Sequence, residues 1–180
     1  MRHGSSQADA LIQRGVDPQP DGFLAGDRLN VEMRTRAVAA FLMLPGVVGY
    51  LLPYLLAGNA RSSSPGRWAG ALIVGLGSAA LLHCAYVFLA VGEGTLAPWA
   101  PPRHLVTTGL YRRSRNPMYA AVVVVVLGWA AWYQVLALVA YAAVVAVAFQ
   151  LRIVLHEEPR LASAFGQEWA EYQSRVGRWF

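Results

Sequence analysis

Two short polar stretches flank the long apolar run in the second half of the sequence. RSRNPMY, residues 113–119, precedes this run, and LRIVLHEEPR, residues 151–160, lies at its other end. Arginine side chains bind carboxylates, and glutamate side chains accept hydrogen bonds from ammonium groups. A basic flank alone is enough to anchor an apolar segment at a membrane surface. The additional amide, proline, tyrosine and paired carboxylates are therefore candidates for binding chemistry.

The pair Asn116-Pro117 also has a purely local explanation. Asparagine is a favoured N-cap and proline is favoured at the first helical position, so the pair predicts that a helix begins here. Arg113, Arg115 and Tyr119 fit the basic flank and the aromatic belt of a membrane boundary. Both the local explanation and a ligand site are compatible with these residues.

The triplet His156-Glu157-Glu158 places two carboxylates where the flanking sequence is otherwise basic. It does not complete the zinc motif H-E-x-x-H, because position 160 is arginine. No metal site is therefore expected. The carboxylates can hold an ammonium group or form salt bridges with arginines of the preceding loop, and both alternatives remain open.

Composition determines which elements position these stretches. Of the 180 residues, 56% are apolar and 14% are charged, whereas a soluble domain carries about a quarter charged residues. The apolar residues form long blocks, which predicts an integral membrane protein. The basic residues are all arginines, and they flank these blocks instead of forming a basic domain, which argues against nucleic-acid binding. The single cysteine, Cys84, excludes an internal disulfide framework.

The apolar blocks predict an all-α, polytopic membrane protein with about four transmembrane helices. A bilayer-spanning helix needs about 20 apolar residues, and spans are expected at about 37–57, 68–91, 117–132 and 134–155. The last two form a tight helical hairpin that breaks at GWAAWYQ, because its aromatic residues favour the membrane boundary. In the second span, the spacing of Gly66 and Gly70 favours close packing on another helix.

The arginines orient these spans. Thirteen of the fifteen lie before the first span, between the second and third spans, or at and beyond the end of the fourth. The positive-inside rule then places both termini and the connection over residues 92–116 in the cytoplasm. Because the hairpin returns the chain to the side that it left, RSRNPMY and LRIVLHEEPR are expected to face each other.

Two polar segments complete the predicted organisation. Residues 1–30 lack a signal-peptide pattern and predict a flexible cytoplasmic tail, which leaves residues 31–180 as the membrane domain. Near the other end, apolar residues recur at spacings of three and four and predict an amphipathic helix over about 159–176. Such a helix lies on the membrane surface or covers the cytoplasmic face. Its apolar residues are Leu161, Phe165, Trp169, Tyr172 and Val176.

Four blocks follow one another in the second half of the chain: LVTTGLYRRSRNPMY, a helical hairpin, HEEPRL and FGQEWAEYQSRV. In order and spacing they resemble the isoprenylcysteine carboxyl methyltransferase family and the related phospholipid methyltransferases. That family has a G-x-Y-x-x-x-R-[HN]-P-x-Y loop, two helices, a Glu-Glu pair and F-G-x-E-[YW]-x-x-Y. The resemblance covers roughly residues 92–178.

This resemblance implies an integral membrane methyltransferase that uses S-adenosylmethionine, bound on the cytoplasmic side between the RNPMY loop and the glutamate pair. The implied acceptor is a lipophilic or small molecule. Carboxyl O-methylation is the most similar activity, and phospholipid N-methylation is the alternative. Catalytic roles are expected for Arg152 and Glu157. Positions that match cofactor contacts of the family are Arg103, His104, Leu105, Val106, Tyr111, Asn116, Pro117, Met118, Tyr119 and Glu157.

These residue types suit the implied cofactor. Glu157 can accept from its ammonium group, and the faces of Tyr111 or Tyr119 suit a sulfonium or an adenine. Arginines and loop N–H groups suit its carboxylate. Two other protein classes compete with this interpretation: an NADPH-dependent membrane reductase of related architecture, and a membrane protein without enzymatic activity.

Two positions depart from the family pattern. Asn116 stands where the prenylcysteine enzymes carry histidine, and an amide keeps a donor and an acceptor but cannot titrate. The arginine that those enzymes place shortly before the glutamate pair would fall at Ile153. Arg152 lies about 100° from that position around an ideal helix, so a contact between Arg152 and the acceptor does not follow from the sequence alone.

Overall fold

A computed structural model describes residues 45–60, 65–92 and 104–180, and within these ranges the chain contains helices and no strand. Helix α1 covers Leu52–Ala57 and continues a π-helical turn at Val47–Leu51, and α2 covers Arg67–Gly92. A 3-10 turn at Gly109–Arg112 precedes α3, Pro117–Tyr133, and α4, Leu136–Arg152. A second π-helical turn at Ile153–Glu157 leads into α5, Glu158–Arg175.

Some predictions concern residues outside these ranges. They are the tail over residues 1–30, the domain boundary at residue 31, the first part of the span over 37–57, and Arg103. Residues 45–57, the remaining part of that span, are helical as predicted.

Two helical stretches are long and apolar enough to cross a membrane. They are Arg67–Phe88 and the stretch Leu136–Arg175, which begins with α4, and the shorter apolar helices are Val47–Ala57 and Pro117–Tyr133. Many large apolar side chains point outward, among them Leu72, Leu76 and Leu82 of α2. Exposing so much apolar surface is unfavourable in water, whereas contact of the same surface with lipid is favourable. These features are those of a membrane protein.

Helix α2 packs on α3 through glycines that let the two backbones approach. A Cβ on Gly70 would lie 2.4 Å from the backbone nitrogen of Trp132, and a Cβ on Gly128 would lie 2.7 Å from that of Val74. Real Cβ atoms essentially never come that close to a neighbouring backbone, so larger residues would separate the helices. The close packing predicted for the second span is therefore confirmed at Gly70.

Helices α3 and α4 form the predicted hairpin. Gln134 adopts the left-handed conformation, with φ 56° and ψ 38°, and its N–H donates to the Ala130 carbonyl at 2.8 Å. This αL cap ends α3 inside the GWAAWYQ stretch. The predicted break is therefore confirmed, although the regular part of α4 ends at Arg152, slightly earlier than expected, because a π-helical turn follows.

Helix α5 is the predicted amphipathic helix, with a bend at Gly166. Gly166 has φ 50°, a conformation that glycine adopts more easily than other residues. Buried Trp169 and Tyr172 pack against Leu105 in the connection between α2 and α3. The rest of the predicted stripe is partly buried against the same cluster: Leu161, Phe165 and Val176. The apolar face of α5 therefore covers the connection that leads into RSRNPMY.

Candidate functional site

The RSRNPMY turn begins α3, but its asparagine does not cap the helix. Asn116 occupies the N-cap position and Pro117 the first helical position, as predicted. The Asn116 side chain makes no capping bond, and its Nδ2 donates to the Arg178 carbonyl oxygen at 3.1 Å. The expected side-chain capping is therefore wrong, because a tertiary contact takes the amide group.

The second π-helical turn sets the directions of Arg152 and Glu157. Residues five apart in a regular α-helix lie about 140° apart around its axis. The π-helical turn ends with the Glu158 N–H bonded to the Ile153 carbonyl, and Arg152 Nε reaches Glu157 Oε1 at 3.0 Å. Ile153 itself is fully buried, with 0% exposed. The wider turn thus directs Arg152, rather than residue 153, toward the Glu157 carboxylate.

Tyr119, Arg152 and Glu157 form what we term the open cluster. The Tyr119 hydroxyl donates to Glu157 Oε1, and Arg152 Nε donates to the Tyr119 oxygen and to Glu157 Oε1 at 3.0 Å each. The side chains of Arg152 and Glu157 are 38% and 30% exposed. The prediction that the two polar motifs face each other is confirmed. The cluster therefore combines a cation and a carboxylate that are partly exposed with a phenol.

Arg115, Glu158 and Arg178 form a second group, the closed cluster. Glu158 accepts bonds from Arg178 Nε and Nη2 at 2.9 Å each, which raises the pKa of the Arg178 guanidinium. Glu158 also lies 3.0 Å from Arg115 Nη1, and the Arg115 side chain is only 8% exposed. The Arg115 guanidinium lies 5.5 Å from the centre of the Trp169 ring. Of the two alternatives for the glutamate pair, the salt bridge with a loop arginine holds for Glu158.

Two nitrogens of the closed cluster are buried without a hydrogen-bond acceptor among the residues that the structure describes. Within residues 45–60, 65–92 and 104–180, Arg115 Nε has no hydrogen-bond partner. Arg115 Nη1 is within ion-pair distance of Glu158 but lacks hydrogen-bond geometry. An unsatisfied buried donor costs about 1–3 kcal/mol. The surroundings of Arg115 therefore favour an additional acceptor, such as a carboxylate.

Tyr111 lies in the same part of the structure as the open cluster. Tyr111 and Val106 are buried beside Cys84 of α2, and Met118 packs against this group. Burial is the main cause that raises the pKa of the Tyr111 hydroxyl above its usual range, and the nearby Glu157 carboxylate adds to the shift. Tyr111 therefore lies in an apolar cluster that Met118, the neighbour of Tyr119 in the chain, connects to the start of α3.

The remaining predicted cofactor residues are more dispersed. His104 is exposed, Leu105 is buried against Trp169 in the α5 cluster, and Pro117 is buried at the start of α3. The structure thus brings Tyr119 together with Glu157 and Arg152, but it places Leu105 in a separate packing cluster.

Comparison with protein families decides which kind of protein carries this site. The family model described as Phospholipid methyltransferase (PEMT) matches residues 66–168, more than half of the chain. The chain belongs to the phospholipid methyltransferase family. No curated protein and no solved structure matches it.

Membership of the phospholipid methyltransferase family makes the chain a membrane enzyme that transfers methyl groups. The family is related to the isoprenylcysteine carboxyl methyltransferases, so the resemblance predicted from the motifs is confirmed. Its members generally use S-adenosylmethionine. The matched range contains the open cluster and ends before Trp169, so it excludes the chain segment that carries Arg178.

Sequence reasoning missed two polar residues of this member of the phospholipid methyltransferase family. Ser114 is 0% exposed, and its Oγ accepts the Asn116 N–H at 3.1 Å and donates to the Arg178 carbonyl at 3.4 Å. Glu158 was not missed, because a salt bridge with a loop arginine was one of the two roles expected for the glutamate pair. Nothing in the spacing of the sequence connects Arg178 with position 116, which precedes it by 62 residues.

Proposed function

We propose that this chain binds S-adenosylmethionine at the open cluster and methylates a lipophilic acceptor in the membrane. One observation carries the proposal: Tyr119 and Glu157, 38 residues apart, are hydrogen-bonded inside the matched family range. The two motifs that the family shares therefore converge at one exposed site. The family match favours methyl transfer over the reductase alternative and over a role without catalysis.

The side chains of the open cluster fit this cofactor. Both bonds from Tyr119 and Arg152 fall on Oε1 of the partly exposed Glu157, so an ammonium group can approach Oε2. The aromatic faces of Tyr111 and Tyr119 suit a sulfonium or an adenine. Asn116, Pro117 and Met118 would form the loop side of the site.

S-adenosylmethionine supplies an electrophilic methyl group when it is bound, and the residues of this chain act mainly by position. Arg152 bonds both the Tyr119 oxygen and Glu157 Oε1, so these groups keep their orientation before a ligand arrives. The exposed part of Arg152 can also bind an anionic group of the acceptor. Holding two reactants in the correct geometry can supply up to about 7–11 kcal/mol of the barrier reduction.

Arg152 supports carboxyl O-methylation as the reaction. A carboxylate acceptor is nucleophilic without losing a proton, and a guanidinium can bind and orient it. The description of the matched family favours a second candidate, N-methylation of a phospholipid amine. An ammonium headgroup has to lose a proton before it attacks, a step that carboxyl O-methylation does not need.

Calorimetric titration with S-adenosylhomocysteine in detergent tests cofactor binding. The wild type is expected to bind, and Glu157→Gln is expected to bind roughly 10- to 100-fold more weakly, since a bond to a charged group contributes about 1.5–3 kcal/mol. Glu168→Gln changes an exposed carboxylate of α5 and is the matched control. Absence of binding by the wild type, or equal binding by Glu157→Gln, contradicts the proposal.

The acceptor is identified by methyl transfer from labelled cofactor to a total lipid and metabolite extract. A methyl ester releases methanol in base, whereas an N-methyl group is stable. Base-labile label in the lipid fraction supports carboxyl O-methylation, and base-stable label on an amine headgroup supports N-methylation. Label in neither product, from protein that binds S-adenosylhomocysteine, excludes both acceptors.

We further propose four membrane spans with both termini in the cytoplasm. The two long apolar stretches and the two shorter apolar helices support this number. The α3–α4 hairpin returns RSRNPMY and HEEPR to one side, and the distribution of arginines favours the cytoplasmic side.

Thiol labelling in sealed vesicles of known orientation tests the topology. In a Cys84→Ser background, a membrane-impermeant reagent should label Gln134→Cys from the outer side and Gln167→Cys only after permeabilisation. Both side chains are exposed, so access depends on the membrane. The reverse pattern contradicts the proposed orientation.

A further inference from the structure

The segment Gly177–Phe180 lies beyond the family match, yet its backbone contacts the turn that begins α3. The Gly177 carbonyl accepts the Arg115 N–H at 2.9 Å. The Arg178 carbonyl accepts Asn116 Nδ2 at 3.1 Å and the Ser114 hydroxyl at 3.4 Å. Two adjacent carbonyl groups therefore take donors from three consecutive residues of RSRNPMY.

The side chains of this segment fasten it to other elements. The Arg178 guanidinium binds both carboxylate oxygens of Glu158 at 2.9 Å. Trp179 Nε1 donates to Gln150 Oε1 at 2.8 Å, and Trp179 packs against the same apolar cluster as Tyr119. The carbonyl groups that hold the turn are thus anchored on α4 and α5, and Glu158 also pairs with Arg115 of the turn.

The turn has one internal hydrogen bond, from the Asn116 N–H to Ser114 Oγ, and its other donors depend on the external acceptors. The Asn116 side chain makes no capping bond, and Pro117 has no N–H to contribute. Ser114 is fully buried, so its hydroxyl has no access to water. Without the Gly177–Phe180 segment, three donors of the turn would lose their acceptors. A donor that is buried without an acceptor destabilises the fold.

We propose that Gly177–Phe180 is a positioning segment for the methyl-transfer site, with Arg178 as its anchor. This inference rests on the proposed function. The segment holds residues 114–116 so that Tyr119, three residues further along the chain, meets Glu157 before the cofactor arrives. Pre-organisation of this kind raises affinity because less freedom is lost on binding. Asn116 accordingly orients the turn through Nδ2, and Arg178 itself touches neither cofactor nor acceptor.

Hydrogen exchange of the cofactor-free protein in detergent tests the positioning directly. In Arg178→Ala, the amides of residues 115 and 116 are expected to exchange at least about tenfold faster, because weaker anchoring makes local opening more frequent. Arg175→Ala is the matched control, since Arg175 is exposed and its Nε donates to the Glu171 carbonyl of its own helix. Unchanged exchange in Arg178→Ala overturns the inference, whatever the protein binds.

Calorimetry with S-adenosylhomocysteine tests the consequence for the site. Arg178→Ala is expected to raise the Kd roughly tenfold, because it removes the hydrogen bonds to the charged Glu158 that anchor the segment. Trp179→Phe keeps an aromatic ring but loses the hydrogen bond to Gln150. It serves as a milder variant if Arg178→Ala does not fold. If the wild type binds and both variants bind equally well, the inference fails and the proposed function stands. If the wild type does not bind, the proposed function fails, and the exchange experiment still tests whether the segment positions the turn.

A double-mutant cycle distinguishes positioning from a general loss of stability. Asn116→Ala removes the side chain that bonds the Arg178 carbonyl. If the segment acts through the turn, the effects of Asn116→Ala and Arg178→Ala on the Kd are less than additive, as expected for residues of one network. A merely structural role of Arg178 gives additive effects, and that result contradicts the inference.

Discussion

Glu157 and Glu158 are neighbours in the sequence but belong to two different polar clusters. Glu157 is 30% exposed and bonds Tyr119 and Arg152, whereas Glu158 is 12% exposed and bonds Arg178 and Arg115. Glu157 ends the second π-helical turn and Glu158 begins α5. Successive residues of a helix point about 100° apart, so the two carboxylates meet different partners.

The two glutamates of the doublet therefore belong to two separate sites. The open cluster keeps a carboxylate and a guanidinium within reach of a ligand. The closed cluster uses the same residue types to fasten the Gly177–Phe180 segment and the turn before α3. Substitutions of the two glutamates should therefore separate ligand binding from stability.

The largest effect is expected for Glu158→Gln. Removing this charge leaves the buried Arg115 without its ion-pair partner, and breaking a buried pair costs about 3–5 kcal/mol. The free energy of unfolding in mixed detergent micelles measures the loss. Glu168→Gln, on the exposed side of α5, should change it little. A loss for Glu158→Gln no larger than that of this control would show that the closed cluster does not support the fold.

The next effect is a loss of stability at alkaline pH. Burial raises the pKa of Tyr172 from 10.0 to about 12, and its hydroxyl donates to the Tyr111 carbonyl at 2.6 Å. Because the folded pKa is the higher one, this contribution is fully present below pH 10 and is lost as the pH rises toward 12. The maximum loss is about 2–3 kcal/mol. Unfolding measured from pH 9 to 12 should show this decline in the wild type, and a weaker decline in Tyr172→Phe.

A smaller effect is expected for Tyr119→Phe in the open cluster. The substitution removes the hydroxyl that bonds Glu157 but leaves the ring and the Arg152–Glu157 ion pair. Since one hydrogen bond contributes about 0.5–1.5 kcal/mol, affinity for S-adenosylhomocysteine should fall roughly 3- to 10-fold. Tyr86→Phe, an exposed tyrosine of α2, is the control for calorimetry. Unchanged affinity would remove Tyr119 from the proposed site.

The smallest effect is the stability change of Glu157→Gln. The pair between Arg152 and Glu157 is partly exposed, and such pairs contribute about 0–1 kcal/mol. The same unfolding measurement as for Glu158→Gln should therefore give a loss of less than about 1 kcal/mol. Equal losses for the two glutamates would contradict the distinction between an open and a closed cluster.

The helices were largely predictable, and their irregularities were not. The apolar blocks predicted α2 and the α3–α4 hairpin, and the aromatic stretch predicted the break that Gln134 makes. The π-helical turns at Val47–Leu51 and Ile153–Glu157 were not predicted from the sequence, since such turns are rare within α-helices. In the second turn Ile153 is buried, and the preceding residue, Arg152, reaches Glu157.

The candidate site could be predicted only in part. The spacing of motifs selected Tyr119 and Glu157, since those residue types recur in one order in the family that they resemble. Arg152 lies one position before the family's arginine, and only the structure shows that it contacts Glu157. Asn116 was assigned to a helix cap because local capping is the usual role of asparagine before Pro117. The structure instead directs its amide to Arg178, a partner that local reasoning cannot find.

The sequence by itself determined that this protein is helical, lies in a membrane and belongs to a methyltransferase family. Those conclusions need only apolar length, periodicity and the order of short motifs, which are properties of the chain. Only the tertiary structure decided which glutamate stays open and which is enclosed between two arginines. That choice depends on helix phase and on contacts between residues far apart in the chain, and neither is set by local sequence preferences.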